Sequence, residues 1–100
     1  MSETPQIDIK LLCAAFQLGE AMATVLWKLL TSPIVTLADA AEATQTEPAS
    51  ARVTISHLRR RMKPFDIPIQ CSRGVGYSIR PDDRRRLEAM YCDFTHNLAG

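Results

Sequence analysis

The chain has 100 residues, 46% of them hydrophobic, and its 12 Lys and Arg against 11 Asp and Glu leave a formal charge of +1. That length suits one small domain with a real core. It argues against a membrane span, because Lys10, Gln17, Glu20 and Lys28 interrupt the hydrophobic N-terminal half well short of ~18 consecutive apolar residues.

Pro5 opens a predicted helix over 5–16, in which Ile7, Leu11, Leu12, Ala15 and Phe16 follow helical spacing. The alternation from Ile7 to Leu11 also permits a strand. A second helix over 19–31 is clearer. Met22, Val25, Leu26, Leu29 and Leu30 form one apolar stripe, and Pro33 ends it. Ile34-Val35-Thr36 is β-branched but short, fit only for a minor or edge strand. Thr36 then caps an alanine-rich helix over 37–44, with Leu37, Ala40 and Ala41 on its inner face. A polar turn, Thr44 to Pro48, leads into a basic helix over 50–63, entered at Ser50 or at Pro48 and stopped by Pro64. Residues 67–80 alternate apolar and polar on both sides of Arg73-Gly74-Val75-Gly76, the pattern of a β-hairpin. Pro81 starts a last helix over 82–98, with Asp82 and Asp83 at its positive end. The expected fold class is therefore mainly α with a small β-hairpin. The order of its elements is that of a winged helix-turn-helix with extra N-terminal and C-terminal helices.

The near-neutral total hides a segregation of charge. Residues 1–51 carry two bases and six acids, a net of −4; residues 52–86 carry ten bases and three acids, a net of +7; residues 87–100 carry two acids and no base. The potential that matters for a polyanion is local, so the +7 block points to nucleic acid. The start, Ser2-Glu3-Thr4, lacks the basic character of a secretory signal. Cys13, Cys71 and Cys92 are odd in number and without a CxxC, and read as reduced cytosolic thiols, mostly small core residues. A cytoplasmic location is expected.

The stretch Ala51-Arg52-Val53-Thr54-Ile55-Ser56-His57-Leu58-Arg59-Arg60-Arg61-Met62, followed by Arg73-Gly74-Val75-Gly76-Tyr77, closely resembles the DNA-binding effector domain of OmpR/PhoB-type transcriptional regulators. There a helix of the form V-x-I-x-x-L-R-R-K-L precedes a wing of the form R-G-x-G-Y. The resemblance implies a winged helix that binds double-stranded DNA. The sequence departs from the family in lacking room for a receiver domain or for the four-stranded N-terminal platform. Its turn before the basic helix is also shorter than the loop through which such regulators often touch RNA polymerase. It reads as a stand-alone regulator.

On the basic helix, Ala51, Ile55, Leu58 and Met62 share one stripe and should pack inward. The N-terminal part of a groove-bound helix usually reaches base edges and later residues reach phosphate. Arg52, Val53, Ser56 and His57 are accordingly expected to read bases, and Arg59, Arg60 and Lys63 to meet phosphate. A solvated basic face on an ordinary helix is the plainer alternative. Arg73 at the wing tip suits a narrow minor groove, while Gly74 and Gly76 permit positive φ and close approach to phosphate. Tyr77 is expected to close the wing onto the basic helix, and Trp27 to cover the core, with an exposed partner contact as its alternative. Arg84, Arg85 and Arg86 extend the basic surface or form a solvated turn. The terminal stripe Leu87, Met90, Tyr91, Phe94 and Leu98 either packs on the N-terminal helix or forms the face of a homodimer. His57 and His96 have no catalytic neighbours by motif, and no metal cluster, activated nucleophile or phosphate loop is present in the sequence. No enzymatic activity and no cofactor are expected.

The function expected from the sequence is sequence-specific binding of double-stranded DNA to regulate transcription, with repression favoured over activation. The alternative is a protein–protein module whose basic face docks an acidic partner such as a polymerase subunit.

Overall fold

A computed structural model describes the backbone of residues 7–99 and the side chains of residues 7–97. Five α-helices and one two-stranded antiparallel hairpin make up the described chain.

Helix α1, Ile9–Phe16, starts four residues later than Pro5 suggests, and Pro5 itself lies outside the described residues. The start is set by Asp8, whose carboxylate accepts the Lys10 N–H at 2.8 Å and satisfies one of the unpaired donors of the first turn. Within the alternating stretch Ile9, Lys10 and Leu11 are thus helical, and Ile7 and Asp8 precede the helix without forming a strand. Gln17 takes the left-handed conformation that ends α1, and the axis turns by 108° into α2, Glu20–Thr31. No single helix among the described residues is long and apolar enough to cross a membrane. Val25, Leu26, Leu29 and Leu30 of the predicted α2 stripe are buried, joined by Ala23, while Met22 is only half-buried.

Helix α3, Leu37–Thr44, opens on a reciprocal cap: the Asp39 N–H donates to Thr36 Oγ1 at 3.0 Å and the Thr36 N–H to Asp39 Oδ2 at 3.2 Å. These bonds favour the ionised Asp39 carboxyl and hold it below the ordinary carboxylate range, the backbone bond being the larger cause. Gln45 in the left-handed conformation ends α3, and α4, Pro48–Met62, begins with proline at its first position. A 3-10 turn, Lys63–Phe65, follows α4 directly.

Strands β1, Gln70–Ser72, and β2, Gly76–Ser78, pair with Cys71 opposite Tyr77. They are shorter than the alternation over 67–80, because Ile67, Ile69 and Ile79 turn into the core instead of extending the ladder. Val35 adds a third backbone partner, exchanging bonds of 2.8 and 2.7 Å with Tyr77. The minor strand expected at 34–36 is therefore a single bridge. Helix α5, Pro81–Ala99, lies against α1, and Tyr91 Oη accepts the Asp8 N–H at 2.9 Å.

One apolar cluster joins these elements, centred on Leu12, Leu26, Leu29, Ile55, Leu58, Met62 and Leu87. The cluster takes in part of the α5 stripe. Leu87 is fully buried and Tyr91 is 4% exposed, both within their own chain. Met90 and Phe94 are half-buried, and the Leu98 side chain lies outside the described ones. Leu87 and Tyr91, the first and middle residues of the stripe, are thus covered by their own chain.

Candidate nucleic-acid interface

The orientation of α4 follows from its buried stripe. Ala51, Ile55, Leu58 and Met62 are all at or below 2% exposure. At about 100° per residue, Ala49, Val53, Ser56 and Arg60 then fall on the opposite side. Each of these four is exposed, as are Arg52, His57 and Arg59 on the flanks. The helix is 15 residues long, or about 22 Å, and no other described element covers this face. Val53 is 53% exposed, and a bare β-branched side chain at the centre of a charged face suits contact with a thymine methyl group.

The two flanks differ. On one side lies the hairpin, fastened to α4 by Arg59: its Nε donates to the Ile69 carbonyl at 3.1 Å, and the guanidinium sits 5.7 Å from the centroid of the Tyr77 ring. Arg59 is therefore a strut between helix and hairpin, with only its terminal nitrogens left to meet phosphate. Arg52 faces the same cleft as Thr36, Cys71, Gly74 and Tyr77. On the other flank His57, Arg60 and Arg61 border α1 and the start of α2.

The hairpin tip is solvent-facing. Arg73, Gly74 and Val75 are exposed, Val75 at 52%, and the Val75 N–H closes the turn onto the Ser72 carbonyl at 2.9 Å. Gly74 needs its glycine for φ of 78°, with open space where a Cβ would stand. Gly76 serves a different purpose from close approach to phosphate. At φ 145° its missing Cβ would lie 2.7 Å from the Val35 carbonyl oxygen, so it admits the Val35 bridge.

The basic block is not uniformly available. Arg85 pairs with Asp82, and Arg86 spans Asp83 at 3.0 Å and the Phe65 and Asp66 carbonyls at 2.8 and 3.1 Å. Arg86 thus closes the 3-10 turn, and Arg85 and Arg86 are paired with carboxylates of their own helix, whereas the buried Arg84 Nε has no hydrogen-bond partner among the described residues. The side chains of Arg52, Arg60, Arg61, Lys63 and Arg73 make no hydrogen bond or ion pair among the described residues. Four of these five are the ones the sequence assigns to DNA contact. Arg61 was not assigned, although its helical position between the outward stripe and the buried one puts it on the flank facing away from the hairpin.

Comparison of the chain with known protein families, with characterised proteins and with solved structures finds no match. The functional reading rests on the geometry above and on the motifs that build it.

Proposed function

We propose that the protein is a winged helix-turn-helix regulator of transcription that binds double-stranded DNA in a sequence-specific manner. In this reading α3 and α4 are the helix-turn-helix, α4 enters the major groove, and the β1–β2 hairpin is the wing. The observation that carries it is the uncovered outer face of α4, with Arg52, Val53, Ser56, His57 and Arg60 exposed together and the hairpin tied beside them through Arg59. A single α-helix fits a B-form major groove, and this face mixes the donors and apolar contact that base edges require. Lys63 and Arg60 are assigned to phosphate and Arg73 to the adjoining minor groove, where negative potential favours arginine. Arg59 holds the angle between helix and wing and reaches phosphate only through its terminal nitrogens.

The reading belongs with the OmpR/PhoB-type resemblance of the same residues. Only Gln45–Glu47 separate α3 from α4, which leaves little loop with which to engage RNA polymerase, so repression by occupying a promoter is favoured. It makes the protein a cytoplasmic, non-enzymatic DNA-binding factor that uses no cofactor. A single chain is the reading unit, given the burial of Leu87 and Tyr91.

Selection of bound sites from random duplexes, followed by competition between the recovered site and random DNA, tests this reading. A recovered consensus, bound far more tightly than random sequence and with affinity falling steeply in salt, is the expected result. Equal affinity for all duplexes, or affinity insensitive to salt, refutes it.

A further inference from the structure

Beside the outward face of α4 runs an open groove of 730 Å³. One wall is the last turn of α1 with Ala15, Phe16 and Gln17, extended by Met22 of α2; the other is His57, Arg60 and Arg61 of α4; Pro64 and Phe65 close one end. Phe16 and Phe65 meet edge-to-face at 5.3 Å and form the floor. Phe16 is buried, while Met22 and Phe65 are half-buried and keep apolar surface turned to solvent. No Asp or Glu lines the groove, and neither guanidinium makes a hydrogen bond or ion pair among the described residues. An apolar floor beside two unpaired arginines and a histidine is complementary to a carboxylate-rich chain that also carries an apolar side chain.

We propose that this groove receives an acidic segment of a protein partner, anchored by one bulky apolar side chain over Met22 and Phe65, in competition with duplex DNA for His57 and Arg60. The groove is open along its length, so it suits a chain laid across it better than a small ligand, which needs most of its surface enclosed. Arg61 belongs to the groove alone, because it lies on the flank away from the wing. His57 and Arg60 border both surfaces. The competition rests on the DNA-binding reading; the groove itself does not.

The test uses the full chain and a short fluorescein-labelled peptide of Asp and Glu with one central Phe, followed by fluorescence anisotropy. The peptide should bind, and binding should weaken about tenfold when Ser replaces that Phe. Arg61→Gln should weaken the peptide by up to about fivefold with duplex binding little changed, whereas Arg60→Gln should weaken both ligands. Peptide at ten times its own Kd should raise the apparent Kd for duplex roughly elevenfold if the two exclude one another. Failure of the peptide to bind, or binding indifferent to both the Phe and Arg61, overturns the groove assignment. Peptide and duplex bound together without mutual effect overturns the competition. If the protein binds no duplex at all, the DNA reading fails while the peptide titration still decides the groove.

Discussion

Arg59 and Arg60 are neighbours with the same chemistry and different surroundings, so paired alanine substitutions separate support of the wing from contact with DNA. Arg59→Ala removes the 3.1 Å bond to the Ile69 carbonyl and the guanidinium above Tyr77. A hydrogen bond from a charged donor contributes about 1.5–3 kcal/mol when sheltered, and a cation–π contact at an exposed site about 0.5–1 kcal/mol. Arg59 is exposed, so solvent replaces part of both, and a loss of about 1–2 kcal/mol is expected. For a domain of this size that lowers the thermal midpoint by roughly 4–16 °C. Arg60 makes no described contact of this kind, so Arg60→Ala should change stability by less than about 0.5 kcal/mol. It should instead weaken binding to every duplex alike and flatten the slope of log K against log salt by about one unit. Thermal melts followed by circular dichroism, and duplex titrations at several salt concentrations, read both effects. Equal destabilisation by the two substitutions, or none from Arg59→Ala, refutes the placement of Arg59 as a strut.

Arg52→Ala and Val53→Ser should each relax preference at one or two base pairs and cost about 1–3 kcal/mol on the selected site, with little change on random DNA in a competition assay. Gly76→Ala should cost well over 1 kcal/mol in urea denaturation, because the new Cβ meets the Val35 carbonyl at 2.7 Å, whereas Gly74→Ala, facing open space, should cost only about 1 kcal/mol for its positive φ. Leu87→Ala should destabilise by about 2–5 kcal/mol, and the intact protein should sediment as a monomer, since Leu87 and Tyr91 face their own core. Asp39 is held below its ordinary pKa by Thr36, so its cap contributes fully above the unfolded value near pH 4 and is lost as pH falls through the lowered folded value. The thermal midpoint of the wild type should therefore fall more steeply below about pH 4 than that of Asp39→Asn.

The elements were largely legible in the sequence because each rests on local rules. The α2 stripe, the Thr36 cap, Pro48 at a helix start and the glycines at the hairpin tip depend on periodicity and backbone preference within a few residues. The inward stripe of α4, and hence its outward face, followed for the same reason. What the tertiary structure decided are relations between residues distant in the chain. Arg59 meets Ile69 and Tyr77, Arg86 reaches back to Phe65 and Asp66, and Gly76 lies against Val35. In a sequence every arginine of the basic block carries the same charge, and only the folded chain separates those spent on their own backbone and carboxylates from those left facing outward. The terminal stripe shows the same division: spacing established that α5 has an apolar face, but a helix buries that face equally well in its own chain or in another. In the folded chain Leu87 and Tyr91 pack into the core, and Tyr91 holds the N-terminal end of α1.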